Sequence, residues 1–155
     1  MCRRLLILAG FLALFTVPVR ADDAVQADPW ELIHIVREFG PAEVGRDAMR
    51  DPRIEGEIDG IAYHVDFYGC WLGRECEAIL LQMRLAKDDW EPDAEEIADW
   101  NAAKLFGRAW IDDETVAVID HAIAMGSGVP KPVLTASLRA WQEAIEEFIE
   151  HIDFK

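Results

Sequence analysis

Two cysteines, Cys70 and Cys76, stand in the stretch Tyr68-Gly69-Cys70-Trp71-Leu72-Gly73-Arg74-Glu75-Cys76 and have the clearest chemical capacity in the chain. Sulfurs at this spacing can bind a metal, exchange electrons or close a loop. The interval is not the C-x-x-C of redox enzymes, and no further Cys or His stands at zinc-site spacing. A structural disulfide is the favoured reading, with a labile redox pair and a metal site as alternatives. Closing so small a ring should contribute roughly 2 kcal/mol. A second set is His64 and Asp66, two apart on one predicted strand face, with His121 on a later strand. If the three converged they could hold a metal and activate water, the chemistry of a metal-assisted hydrolase, but no nucleophile is coupled to them in the sequence. Gly126-Ser127-Gly128-Val129-Pro130-Lys131 has the glycines of a phosphate loop but not its spacing. Pro130 also removes an amide donor, so the stretch reads as helix entry. Glu95-Glu96 and Glu146-Glu147 fall on solvated helix faces by periodicity.

The first residues bear on the sulfur chemistry. Met1-Cys2-Arg3-Arg4 is a short basic start, Leu5 to Val17 an unbroken apolar run, and Val19-Arg20-Ala21 places small residues before a cut. This is the pattern of a secretory signal peptide over residues 1–21, cleaved before Asp22. The run has thirteen residues, short of the roughly 20 that cross a bilayer. Export would leave only Cys70 and Cys76, in a periplasmic or secreted setting where disulfides persist. It would also remove Arg3, Arg4 and Arg20, leaving 12 basic against 30 acidic residues, a net charge of 12 − 30 = −18. Such a chain repels nucleic acid and anionic lipid. Residues 22–155 suit one domain with a sizeable core.

The elements that must position these residues follow from periodicity. Asp28-Pro29 caps a short apolar helix that ends at Gly40-Pro41, and a polar stretch to Arg53 reads as loop or an irregular first strand. Ile54 to Ile58, then Asp59-Gly60, then the alternating Ile61 to Tyr68 make a hairpin. The nearly continuous apolar run Ala78 to Leu85 is a central strand, and these three strands form an antiparallel meander. The Cys70–Cys76 stretch is then the loop between the second and third strands, with Gly73 expected at a positive φ. Asp93 with Glu96 has the form of a capping box opening a helix to Leu105, with Ile97, Trp100, Asn101, Lys104 and Leu105 on one face. Gly107 to Ile111 and Thr115 to Ile123 pair across a turn. Pro130 begins a long helix whose Leu134, Leu138, Trp141, Ile145, Phe148 and Ile152 form one seam. The expected fold class is α+β, a single antiparallel sheet with packed helices in the order α-β-β-β-α-β-β-α.

On these elements Trp100 reads as a core anchor. Asn101 reads as a side chain bonded to a neighbouring strand's backbone, and Arg108 as one half of an ion pair. Six Trp exceed what one small core needs. Trp71, in the cysteine loop, has no periodic partner; it either packs back on the sheet or offers a contact point for a partner.

The string Tyr63-His64-Val65-Asp66-Phe67-Tyr68-Gly69-Cys70, the second cysteine, the Asp99-to-Asp112 segment, Val118-Ile119-Asp120, the Gly-rich entry and the terminal helix with Trp141 and Phe148 resemble the YbjN domain family over about residues 50–152. The resemblance implies a fold similar to type III secretion chaperones, a regulatory rather than enzymatic character, and a subset with a signal peptide and cysteine pair. Ala98 stands where the family commonly has Asn, Lys104-Leu105 where Arg-Phe is usual, and Ser127 interrupts the usual Gly pair. The reading is a non-enzymatic periplasmic interaction module, chaperone-like or regulatory, with a protein or peptide partner, compatible with a homodimer. No cofactor is implied. The competing classes are the His64/Asp66/His121 hydrolase and a thiol-disulfide redox sensor.

Overall fold

The computed structural model describes residues 24–72 and 74–154; the leader reading falls on residues outside that range. In chain order the elements are β1 (Ala24–Val25), α1 (Pro29–Val36), β2 (Ala42–Arg46), β3 (Pro52–Ile58), β4 (Ile61–Tyr68), β5 (Ala78–Leu85), α2 (Ala94–Ala103), β6 (Arg108–Ile111), β7 (Ala117–Ala124), β8 (Val129–Pro130) and α3 (Lys131–His151). Six strands form one antiparallel sheet in the order β2-β3-β4-β5-β7-β6, and β1 pairs with β8 as a separate ribbon. The fold class is therefore α+β. Of the two readings of the polar stretch before Arg53, the irregular first strand is the one observed, as β2; it is not in the expected order, and the β1-β8 pair is an additional ribbon. β2 is Ala-Glu-Val-Gly-Arg at a sheet edge. Only the small Ala42 and Val44 pack on the core, so it carries a weak alternating signal.

Local chemistry explains the boundaries. Asp28 caps α1 by accepting the Trp30 N–H at 2.8 Å, with Pro29 in the first turn. Asp59 and Gly60 both take positive φ (51° and 81°), the conformation of a tight two-residue hairpin turn. Asp93 caps α2 through the Glu95 N–H at 2.7 Å. That helix stops at Ala103, because Lys104 already has extended backbone. Leu105 is therefore exposed, not on the packed face its spacing suggests. Pro130 belongs to β8 and precedes α3.

The sheet register decides which side chains meet. Ile54, Val65, Leu81 and Ile119 belong to one buried cluster with Leu32 of α1, Trp100 of α2 and the six seam residues of α3, so all three helices cover the same face. Tyr63 meets Trp141 edge-on at 5.1 Å, and Trp100 meets Phe148 at 5.0 Å. Burial pushes the Tyr63 hydroxyl up to about 12. The opposite face is polar and carries Arg53, His64, Asp66, Gln82, Arg108 and Asp120, as alternation along each strand requires.

Candidate docking surface

The cysteine loop is held at three places. Cys70 and Cys76 are joined by a disulfide, and the Glu77 N–H donates to the Tyr68 carbonyl at 2.9 Å, carrying the β4-β5 ladder to its mouth. The Cys76 N–H donates to Ala27 O at 3.2 Å, tying the loop to the segment that enters α1. Inside the ring Trp71 and Arg74 exchange both backbone hydrogen bonds, at 2.8 and 3.0 Å. Positive φ occurs at Gly69, Leu72 and Glu75; Gly73, where it was expected, lies outside the described residues. Trp71 is 73% exposed and Leu72 88%, so Trp71 points to solvent and does not pack back on the sheet.

Other large apolar side chains lie exposed at the same end of the sheet. Trp30 comes from the first turn of α1, Met49 from the β2-β3 connection and Tyr68 from the end of β4. With Trp71 and Leu72 they are five of the eight exposed large hydrophobic residues among those described. Exposed apolar groups gathered in this way mark an interaction site more often than a stability device.

The remaining candidate residues are committed to structure. Trp100 is buried and donates its indole N–H to Gly107 O at 2.6 Å. Gly107 takes a φ of +74°, and a Cβ there would lie 2.7 Å from Ile119 Cδ1, so the turn from α2 to β6 requires glycine. Asn101 donates to Ala109 O at 2.8 Å and accepts the Ala109 N–H at 2.9 Å. Because β6 ends the sheet, the amide acts as a one-residue strand that closes the free edge. Asp120, 4% exposed, accepts from Arg108 Nε at 3.2 Å, Arg108 Nη2 at 2.7 Å and Trp110 Nε1 at 2.8 Å. The hydrogen bond and charge of Asp120 raise the Arg108 pKa further. A guanidinium so engaged is a structural ion pair, not an open anion site.

The His64, Asp66 and His121 set does not converge. His64 pairs across the strands with Gln82, whereas His121 pairs with Leu81, so the two imidazoles project from opposite faces of the sheet. His121 instead meets Phe106 at 5.4 Å, and burial lowers its pKa against the opposing charge of Asp120. Asp66 accepts from Arg53 Nε at 2.7 Å and lies 3.2 Å from His64 Nε2. Burial alone would raise the Asp66 carboxyl, but the hydrogen bonds and charges of His64 and Arg53 outweigh it and hold it low. The geometry thus corrects the hydrolase alternative. Among the described residues no three His, Cys, Asp or Glu side chains gather in a metal-holding group, and no helix is long and apolar enough to cross a membrane.

The family described as "YbjN: Putative bacterial sensory transduction regulator" matches residues 31–154. The chain belongs to the YbjN family. The match extends the span of the sequence resemblance back through α1 and β2. Its description names a sensory transduction regulator and no reaction. Among solved structures, the crystal structure of YbjN, "a putative transcription regulator from E. coli", is similar with a TM-score of 0.58 at 15% identity. It covers 81% of this chain and 91% of that one. The Yersinia pestis type III secretion chaperone SycH, in complex with a stable fragment of YscM2, gives a TM-score of 0.48 at 11% identity. It covers 80% of this chain and 96% of that one. At 15% identity the likeness to the YbjN structure concerns the fold. No curated protein matches the sequence. The placing of Trp30 beside the cysteine loop was missed from sequence, because it depends on the Ala27–Cys76 bridge and the Asp28–Arg74 ion pair, contacts between residues far apart in the chain.

Proposed function

We propose that this YbjN-family chain is a periplasmic or secreted protein-interaction module, chaperone-like or regulatory, which docks a protein partner through the disulfide-closed β4-β5 hairpin. The observation that carries this reading is the exposure of Trp71 on a loop fixed by the Cys70–Cys76 bond, the β4-β5 ladder and the Ala27 bridge. A large aromatic held in place loses little conformational freedom when a partner buries it, which is why such residues dominate binding energy. Cleavage after Ala21 and residence outside the cytoplasm keep the sulfurs bonded, and the strongly acidic surface disfavours nucleic acid and anionic membranes. Strand addition is disfavoured at β6, whose edge Asn101 closes. Self-association into a homodimer through the apolar end would use the same exposed residues.

The test is affinity capture from the native periplasm with the parent and the Trp71→Ala variant, compared at equal folded stability. The module reading expects one discrete partner that the variant loses, with unfolding unchanged within about 0.5 kcal/mol, as for an exposed surface substitution. Equal capture by parent and variant would count against the hairpin as the docking element.

A further inference from the structure

Beside the hairpin, a cleft of about 430 Å³ opens between Trp30, Leu72 and the β2 edge strand, with Arg46 and Arg74 in its wall. Its size suits one or two side chains. Its charge is the reverse of the molecule's. The chain has 30 acidic against 15 basic residues, yet no carboxylate lines this cleft. Two carboxylates stand at its margin: Asp28 caps the Trp30 N–H at 2.8 Å and approaches Arg74 Nε to 3.8 Å, and Glu55 Oε1 lies 3.0 Å from where a Cβ on Gly45 would sit, on the side toward the glutamates. Arg46 spends one Nη1 hydrogen bond on Arg50 O and keeps the rest of its fork. At the far end of β2 the sign changes again, where Glu43, Glu55 and Glu57 line a neighbouring depression.

The backbone of β2 adds direction. Glu57 N–H bonds Pro41 O toward β3, and Arg37 Nε bonds Ala42 O at 2.9 Å on the free edge. Alternation then turns the backbone groups of Val44 to that same edge, beside the cleft and beyond the reach of the Arg37 cap. We infer that this cleft binds an extended acidic segment of a protein partner. A bulky apolar side chain sits between Trp30 and Leu72, a carboxylate meets Arg46 and Arg74, and the peptide backbone pairs with Val44. The mode is strand addition with one apolar pocket and one charge-assisted clamp. The three glutamates confine the partner's acidic residues to the arginine end, which fixes its orientation.

The inference rests on the docking role proposed above and fails separately from it. The test pans a random twelve-residue peptide library on the purified disulfide-bonded protein, then measures the selected peptides on variants. Expected is enrichment of Asp or Glu next to Phe, Leu, Trp or Tyr, with affinity falling at least tenfold on Arg46→Ser/Arg74→Ser and on Trp30→Ala. On the unsubstituted protein, replacing each peptide Asp or Glu by its amide must cost at least tenfold as well, which keeps the test independent of how the variants fold. Uncharged or basic consensus sequences, peptides indifferent to the arginine substitutions, or no enrichment would overturn the assignment. Each of those results leaves a partner captured through Trp71 standing.

Discussion

Replacing Asn101 by Ala removes both hydrogen bonds that close the β6 edge, at 2.8 and 2.9 Å. A hydrogen bond contributes about 1 kcal/mol net, so the pair is worth roughly 2 kcal/mol; the better helix propensity of Ala returns about 0.6 kcal/mol. The expected loss is roughly 1.4 kcal/mol, or a fall in melting temperature of about 4 °C for a domain of this size. Urea denaturation reads the energy, and hydrogen exchange at the Ala109 amide reads the mechanism. That amide should exchange much faster in Asn101→Ala and in Asn101→Leu. In Asn101→Asp, which keeps the acceptor for the Ala109 N–H, it should stay protected. The freed edge should also promote concentration-dependent association, since an open strand is a pairing template. An unchanged urea midpoint with an unchanged Ala109 exchange rate would refute the edge-closing role.

Three further outcomes follow from the packing and electrostatics. Gly56→Ala would set a Cβ 2.5 Å from the Tyr63 ring, which Trp141 backs; a loss of about 2–3 kcal/mol by thermal melting is expected, and a change under about 0.5 kcal/mol would contradict it. Arg108→Ala strands the buried Asp120 carboxylate on Trp110 alone and should cost about 2 kcal/mol. A double-mutant cycle with Asp120→Asn should show coupling of at least about 1 kcal/mol, and simple additivity would speak against the pair. The folded pKa of His121 lies below its unfolded value because of burial, so the unfolded chain takes up the proton first on acidification. The stability this group contributes is complete above about pH 6.5 and falls as pH drops below it. His121→Gln should therefore lose less stability than the parent between pH 7.5 and 5, measured as urea midpoints; equal losses would show that His121 is not responsible.

Much of the architecture was legible because it rests on local periodicity. The α3 seam from Leu134 to Ile152 is buried at every position, and the Asp59-Gly60 turn and the caps at Asp28 and Asp93 are local chemistry. β2 stayed undecided between loop and irregular strand because an edge strand paired on one side shows the core only Ala42 and Val44, and the β1-β8 ribbon was missed because its partners, Ala24 and Pro130, are far apart in sequence. Leu105 was misplaced because helical periodicity says nothing about where the backbone leaves the helix. For the site, residue types pointed to the cysteine loop, and Asn101 could be read because a half-buried amide needs a backbone partner. Separation of His64 from His121 needed the register: whether two residues share a sheet face depends on which strands pair and where. The Trp30 contribution depended on the Ala27–Cys76 bridge and the Asp28–Arg74 ion pair, which no periodicity encodes.

The central claim, that a fixed hairpin carries the working contact, is tested most directly by placing a photo-crosslinking phenylalanine analogue at position 71 in cells and irradiating them. A single discrete adduct with a periplasmic protein, lost when Cys70→Ser/Cys76→Ser frees the loop, is the expected result. Absence of any adduct, or an adduct that survives loss of the disulfide at full yield, would contradict the account.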